Sequence, residues 1–171
     1  MINDADNTAL DDTSTESEHP LGGDDAYNLA TIFEAAVDQF ADREYIVAEG
    51  KRCTYAQMDR RANRLAHHLA AQGVGHGDHV GIYAYNCIEW VEALWAVFKL
   101  RAVWININYR YVEDELEYIF DNADLKALVY QRGFSQRVAN VRDAMPQLQH
   151  LIVLEDGTDQ DDCGLDAAAY E

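Results

Sequence analysis

Apolar and polar positions follow two periods along the chain, one typical of helices and one typical of strands. Over residues 29–41 apolar side chains recur with the 3.6-residue period of a helix, and Asn28 stands where an N-cap belongs. Two short runs, Glu44–Ala48 and Lys51–Thr54, flank the turn at Glu49 and Gly50 and predict a hairpin. The predicted buried stripe of this first helix is Leu29, Ile32, Phe33, Ala36, Val37 and Phe40.

A long helix is predicted after the hairpin. Thr54 and Gln57 have the spacing of a capping box, and Gly73 is placed to end the helix. Its solvent face is predicted to carry Arg60, Arg61 and Arg64. Its buried face is predicted to consist of Tyr55, Met58, Ala62, Leu65, Ala66 and Leu69.

From residue 79 onward strands and helices alternate. The predicted strands cover 79–85, 102–107, 126–130 and 151–154. The intervening helices run from a cap signal at Asn86 and Glu89 to about residue 100, over 113–122, and over 135–144. Such alternation predicts parallel strands with right-handed crossovers and helices on both faces. The expected fold class is therefore α/β: a partial parallel sheet with flanking helices, preceded by a short hairpin and helix.

The charge of the chain is concentrated at its two ends. The net charge is −18, but residues 1–25 carry eight acids and no Lys or Arg, and residues 155–171 carry seven acids and no base. Residues 26–154 carry 16 acids and 13 bases. This distribution argues against a basic nucleic-acid interface. We predict a disordered acidic tail over 1–25, with an acidic docking tail as the alternative, a globular subdomain over 26–157 and an acidic loop over 158–171.

No segment has the apolar length of a membrane span or the pattern of an export signal, so a cytoplasmic location is expected. The glycines at 73, 75 and 77 follow a helix and precede a strand, which is the reverse of a dinucleotide loop. Cys53, Cys87 and Cys163 form no C-x-x-C pair. His76 and His79 would need a third ligand to hold a metal. No catalytic, cofactor-binding or metal-binding residue is assigned in this chain.

Aromatic residues are dense after residue 89. Trp90, Trp95 and Phe98 have helical spacing and Trp104 lies in the following strand, so core packing is favoured over a ligand wall. Residues 108–111, Asn-Tyr-Arg-Tyr, follow the carboxyl end of a predicted parallel strand, where such sheets place ligands. That position by itself does not establish a ligand-binding site.

Four segments together resemble the beginning of an adenylate-forming enzyme, in the acyl-CoA synthetase branch of the AMP-binding superfamily. They occur in the order and spacing of that family, between about residues 27 and 157. The Asn-Tyr-Arg-Tyr form resembles synthetases that act on fatty acids or bulky steroid side chains. The segments are 54–66 (TYAQMDRRANRLA), 73–80 (GVGHGDHV), 86–93 with 98–103 (NCIEWVEA, FKLRAV), and 106–111 followed by Glu115 and Leu116 (NINYRY).

The resemblance implies a reaction in two halves: a carboxylate attacks the α-phosphate of ATP, and coenzyme A then displaces AMP from the acyl-adenylate. In such a ligase ATP, Mg²⁺ and coenzyme A are required, and the small-molecule partner is a carboxylic acid. The phosphate loop and catalytic lysines of that family match no position here. The chain is therefore expected to be an N-terminal fragment that is inactive alone and that self-associates or pairs with the missing remainder.

Two other hypotheses about the function of this chain remain. One is a subunit of a split ligase, whose other parts lie on a second polypeptide. The other is a free-standing α/β binding or interaction module with a closed core of its own. Cooperative unfolding of the isolated chain would favour the module.

Overall fold

A computed structural model of the chain describes residues 28–48 and 50–170. The predicted acidic tail over 1–25 lies outside these residues. The helices are α1 (Leu29–Phe40), α2 (Tyr55–Ala71), α3 (Ile88–Lys99), α4 (Glu113–Asn122) and α5 (Ser135–Arg142), the last preceded by a 3₁₀ turn at Arg132–Phe134. The strands are β1 (Glu44–Ala48), β2 (Lys51–Thr54), β3 (His79–Tyr83), β4 (Val103–Ile107), β5 (Leu125–Gln131), β6 (His150–Leu154) and β7 (Ala168–Ala169).

Five strands form one parallel sheet in the order β4-β3-β5-β6-β7, and β1 and β2 form a separate antiparallel hairpin. The chain runs from β3 to β4 on one side and then crosses β3 to reach β5 on the other. A parallel sheet flanked by helices confirms the predicted fold class. Gly81 in the middle of β3 permits tight packing, since an added Cβ would stand 2.7 Å from Ile107 Cδ1 and 2.9 Å from Leu125 Cδ1.

The sheet is covered on both faces, as the apolar strands predict. One face packs against α4 and α5 through buried residues that include Leu116, Phe120 and Val138. The other face packs against α2 and α3 through residues that include Leu65, Ala93 and Val97. Both faces of the sheet are therefore shielded from water, and polar ligands can be bound at the strand ends.

A third, smaller cluster holds α1 and the hairpin against α2 and α3. The rings of Phe33 and Trp95 stack with centroids 4.2 Å apart, and Trp95 Nε1 donates to the hydroxyl of Tyr45 at 2.9 Å. The predicted stripe of α1 is only partly covered, because Leu29 is 50% exposed, Ile32 is 61% exposed and Phe40 is 37% exposed. The 3.6-residue period identifies the apolar face of α1 but not how much of that face has a neighbour.

Of the three predicted N-terminal caps, two are confirmed and one is wrong. The Asn28 side chain accepts from the Ala30 amide at 2.8 Å. Thr54 and Gln57 form the predicted capping box, in which each side chain bonds the other residue's amide, at 3.2 and 2.8 Å. Asn86 does not cap α3: Cys87 is the extended residue before the helix, so Asn86 stands one position too early, and no side chain caps this end.

The predicted solvent face of α2 needs one correction. Arg60 and Arg64 are exposed, but Arg61 turns inward and its Nε donates to the fully buried carboxylate of Glu92 on α3. An isolated helical wheel cannot place Arg61 correctly because the attracting charge lies on another element. The rest of the predicted buried face holds, although Tyr55 is only half-buried.

The segment after β6, predicted as an acidic loop over 158–171, also contains the two-residue strand β7, which pairs in parallel with β6 at Ile152 and Val153. The hydroxyl of Tyr170 donates to Glu92, and this bond fixes the segment on the α2–α3 face. None of the helices within the described ranges has the length and apolar composition needed to cross a membrane.

Candidate functional site at the carboxyl edge of the sheet

The carboxyl ends of β3, β4 and β5 meet where the strand order reverses. In open α/β sheets the crevice at such a reversal is the usual ligand position. Tyr83 ends β3, Asn108 follows β4 and Gln131 ends β5. The Gln131 side chain bridges two of these strand ends, because its Oε1 accepts from the Tyr85 amide at 2.8 Å.

Arg137 on α5 holds the loop after β4 in place. Its Nη1 donates to the Tyr83 hydroxyl at 3.0 Å and to the carbonyls of Tyr109 and Tyr111 at 3.3 and 3.2 Å. The Tyr83 hydroxyl in turn donates to the Tyr111 carbonyl at 2.7 Å. Burial raises the pKa of Tyr83, so this phenol stays a neutral donor. One guanidinium therefore fixes the position of the 108–111 loop relative to β3.

Aromatic rings cluster at this edge of the sheet. Phe134 stacks on Tyr83 with centroids 4.4 Å apart and lies 5.3 Å from Tyr85, which is 51% exposed. Tyr85 also lies 4.7 Å from the ring of Tyr109, and the Arg110 guanidinium lies 5.4 Å from the Tyr109 ring centroid. Tyr83 and Phe134 are buried, so Tyr85 is the ring of this cluster that is available to contact a planar or apolar ligand group.

The loop itself is a tight turn organised by Asn108. Its side-chain oxygen accepts from the Arg110 amide at 3.0 Å, and its carbonyl accepts from the Tyr111 amide at 2.9 Å. Asn108 is thus engaged in shaping the turn. Among the contacts of these described residues, none pairs a nucleophile with a general base, so the edge can bind and position but shows no constellation for covalent catalysis.

Two of the three lysines have structural roles away from the carboxyl edge. Lys99 is almost buried and pairs with Glu34 and with Asp59, the latter at 2.9 Å. Lys126 Nζ donates to Asp78 at 2.9 Å and to the Gly73 carbonyl at 2.6 Å. Lys126, followed by the Gly75 amide, lowers the pKa of Asp78. This bond network lies at the amino edge of the sheet and closes the Gly-rich turn, which the sequence predicts to be a helix stop.

The thiols and imidazoles form no reactive group in the described ranges. Burial raises the pKa of the Cys87 thiol to about 11, and burial also raises the pKa of Cys53. No disulfide joins the three cysteines, and no three potential metal-ligating side chains converge among the described residues. His79 Nδ1 donates to the Ala123 carbonyl, while His76 is exposed.

Two of the three tryptophans pack against each other between α3 and β4. Trp90 and Trp104 meet edge to face with centroids 5.2 Å apart, and Phe98 packs edge to face on Trp104 at 6.4 Å. These rings belong to the packing between α3 and β4, as their helical spacing predicts. The sequence pointed to residues 108–111 but not to Arg137, Phe134 or Gln131. All three lie at or after the carboxyl end of β5, and only the strand order, with β5 beside β3, brings them to the 108–111 loop.

Comparisons with known proteins agree with this architecture. The family model described as AMP-binding enzyme matches residues 33–170. The chain belongs to this family of AMP-binding enzymes, which confirms the resemblance read from the four sequence segments.

Among curated proteins, the chain is 51% identical over 146 residues to the 3-oxocholest-4-en-26-oate–CoA ligase of Rhodococcus rhodochrous, covering 85% of this chain and 26% of the relative. It is 47% identical over 136 residues to the medium/long-chain-fatty-acid–CoA/3-oxocholest-4-en-26-oate–CoA ligase of Mycobacterium tuberculosis (strain ATCC 25618 / H37Rv), covering 80% and 25%. The chain thus spans about a quarter of the length of the curated relatives it matches.

Solved structures give the same result for the fold. A long-chain-fatty-acid-CoA ligase from Archaeoglobus fulgidus superposes with a TM-score of 0.69 at 25% identity, over 74% of this chain and 27% of that chain. A fatty acyl CoA synthetase from Mycobacterium tuberculosis superposes with a TM-score of 0.70 at 26% identity, over 74% and 26%. The covered quarter is the α/β unit described above.

Proposed function

We propose that this chain is the N-terminal portion of an ATP-dependent acyl-CoA synthetase, which converts a carboxylate, ATP and coenzyme A into acyl-CoA, AMP and pyrophosphate. The family membership and the ligase activities named for its relatives support the reaction class. ATP, Mg²⁺ and coenzyme A belong to the full-length enzyme, and no residue of this chain is assigned to them. We propose a cytoplasmic location.

The proposed substrate is a fatty acid or an acid with a bulky steroid side chain. Two relatives that share about half of their aligned residues with this chain are named for 3-oxocholest-4-en-26-oate, and one of them is also named for medium and long-chain fatty acids. The Asn-Tyr-Arg-Tyr turn at 108–111 supports the same subgroup.

The proposed role of this quarter is to shape one wall of a site that other parts of the ligase complete. The observation that carries this role is the attachment of the 108–111 loop to α5 and β3 by Arg137. Two of the three lysines are already engaged with carboxylates, and none follows a Gly/Thr-rich loop, so the isolated 171 residues are proposed to be inactive.

A chimera tests the proposal. Residues 28–170 would replace the matching quarter of the Rhodococcus rhodochrous ligase, and acyl-CoA formation from 3-oxocholest-4-en-26-oate would be measured. The chimera should be active, whereas the 171-residue chain alone should catalyse no ATP–pyrophosphate exchange. Exchange by the chain alone would refute its inactivity, and a folded but inactive chimera would refute the assigned role.

A substitution in the chimera then tests whether the attachment of the 108–111 loop matters for activity. Arg137→Gln removes a donor that contacts the 108–111 loop and should lower kcat/KM for the acid about tenfold or more. Arg142→Gln on the same helix is the matched control, because its Nη1 bonds only the nearby Met145 carbonyl at 3.1 Å. Equal losses in both variants would show that the loop attachment has no specific role.

The chain alone is also proposed to self-associate or to pair with the remainder of the ligase. Exposed apolar side chains at the sheet edge and on α4 support this, among them Tyr85, Val112 and Tyr118. Sedimentation velocity of the chain should reveal dimers or larger species that dissociate when the remainder is added. A monodisperse monomer would contradict self-association.

A further inference from the structure

A basic groove lies apart from the carboxyl edge of the sheet. It has a volume of about 690 Å³ and lies between β2, α2 and the first turn of α3. Its basic lining residues, which define the basic groove, are Lys51, Arg52, Arg60, Arg61, Arg64 and His67.

This groove reverses the sign of charge found over the rest of the chain. It is lined by five of the 13 lysines and arginines but by only two of the 31 acids, Glu89 and Glu92. A cleft lined by one sign of charge focuses the electrostatic potential and attracts the opposite sign. The groove is therefore a local anion-attracting surface on a protein with a net charge of −18.

Three of the five lysine and arginine side chains of the groove are available for a ligand. Arg61 is occupied by Glu92, and Arg52 pairs with Glu44 on β1. The side chains of Lys51, Arg60 and Arg64 are exposed, and within residues 28–48 and 50–170 none of them pairs with a carboxylate. A carboxylate-rich ligand would therefore meet cations that the described fold leaves uncompensated.

The chain itself contains two carboxylate-rich segments, and one of them is already fixed elsewhere. In the segment after β6, Glu155 pairs with Arg132, Asp156 accepts from the Gly133 amide at 2.9 Å, and Asp161 accepts from the Cys163 amide at 2.9 Å. Glu155 and Asp156 thus join the segment to the turn after β5, and Asp161 bonds within the segment. Residues 1–25, with eight acids and no Lys or Arg, remain as the candidate.

We propose that the acidic segment 1–25 binds in the basic groove. It precedes α1, which packs beside α2, since Lys99 joins Glu34 on α1 and Asp59 on α2. About 25 residues span up to ~85 Å when extended, against a radius of gyration of about 15 Å for a domain of this size, so the groove is within reach. Covalent tethering places the segment at an effective concentration of the order of millimolar, which favours it over free anions.

Zero-length carbodiimide cross-linking of the full chain tests this proposal, because it joins carboxylates to lysine amines that touch them. The chain has three lysines: Lys51 in the groove, Lys126 at the amino edge of the sheet, and Lys99, whose side chain is only 8% exposed. Cross-links from the acids of residues 1–25 should form mainly with Lys51. Raising the salt from about 0.02 M to 0.5 M should reduce their yield at least fivefold, because the screening length shortens from roughly 20 Å to a few ångströms.

Variants and isotope labelling complete the test. Arg60→Gln with Arg64→Gln should reduce the Lys51 cross-links at least threefold, whereas Arg43→Gln with Arg110→Gln, which removes the same charge outside the groove, should not. Circular dichroism checks that both variants fold. An equal mixture of ¹⁴N and ¹⁵N protein should give cross-links within single chains. Mixed-isotope cross-links, equal yields at Lys51 and Lys126, or yields unchanged by the groove variant would each overturn the proposal.

Discussion

Two arginine–glutamate pairs join distant parts of this chain, and their surroundings are opposite. Arg61 and Glu92 meet between α2 and α3, where the Glu92 side chain is fully buried and also accepts from the Tyr170 hydroxyl. Arg132 and Glu155 meet beyond the ends of β5 and β6, where the Glu155 side chain is 54% exposed. Both arginine side chains are partly covered, with 32% exposed for Arg61 and 19% for Arg132, so the two regions differ chiefly in the burial of the carboxylate.

Hydrogen-bond geometry alone does not rank these two ion pairs. The Arg132–Glu155 pair is doubly hydrogen-bonded, with Nε at 2.6 Å from the carboxylate, yet the Glu155 carboxylate is 54% exposed and water can replace its partner. The buried Glu92 carboxylate cannot exchange its partners for water, so loss of one leaves an unsatisfied charge or an unsatisfied donor. We therefore expect substitutions in the buried region to dominate stability.

The largest effect is expected from Glu92→Ala. It leaves the Arg61 guanidinium and the Tyr170 hydroxyl without their carboxylate acceptor and opens a void between α2 and α3. Breaking a buried ion pair typically costs 3–5 kcal/mol, and because the Arg61 side chain is 32% exposed we expect the lower figure of about 2–3 kcal/mol in the free energy of unfolding. Urea denaturation of the 171-residue chain measures this change. Glu155→Ala is the control, and an equal loss in both variants would contradict the role given to burial.

Tyr170→Phe should have an intermediate effect. It deletes the hydroxyl that bonds Glu92 while keeping the ring that faces the Arg61 guanidinium at 5.8 Å. A hydrogen bond to a charged, buried acceptor is worth about 1–2 kcal/mol here. Tyr118→Phe, at a site that is 68% exposed, should leave the urea midpoint unchanged. A Tyr170→Phe protein as stable as the parent would show that the hydroxyl contributes nothing.

Alkaline pH should reduce the difference in the free energy of unfolding between the parent protein and Tyr170→Phe. Burial, and next the Glu92 carboxylate, raise the pKa of the Tyr170 phenol in the folded protein. The stabilisation by the protonated Tyr170 hydroxyl is therefore fully present below about pH 10, the ordinary pKa of tyrosine. It is lost as the pH rises from there through the raised pKa of the folded state. Unfolding free energies of both proteins between pH 8 and 11 check this, and a constant gap would refute it.

The smallest effect is expected from Arg132→Gln, which should leave the urea midpoint at neutral pH within experimental error. Arg132 lowers the pKa of Glu155, so what the pair contributes is present above about pH 4.3 and is lost as the pH falls through the lowered folded-state value. A midpoint shift as large as that of Tyr170→Phe would mean that exposure does not weaken this pair.

Local patterns predicted most of the elements. The capping box at Thr54 and Gln57, the hairpin and the alternation of strands and helices all rest on contacts between near neighbours, and all are present in the structure. The errors lie where a second element decides. Leu29 and Ile32 have the period of a buried face but are largely exposed, because α1 has neighbours along only part of that face.

The candidate site was predictable only in part. The Asn108 turn follows a parallel strand, so chain order was enough to place it at the carboxyl edge. Arg137 lies 26 residues after Tyr111 on a different helix, and nothing in its own neighbours along the chain signals a bond to the Tyr111 carbonyl. Only the order of strands in the sheet, with β5 beside β3, brings α5 to that loop.

The amino-acid sequence by itself determined the element types, the covered sheet, the family and the separation of charge between ends and middle, because periodicity, caps and motifs are properties of neighbouring residues. The tertiary structure alone decided which charges are buried or exposed: it turned Arg61 inward to Glu92, left Arg60 and Arg64 in the groove and joined Arg137 to the turn after β4. The physical reason is that a side chain's partner and its access to water depend on elements distant in the chain, whose positions no local pattern encodes.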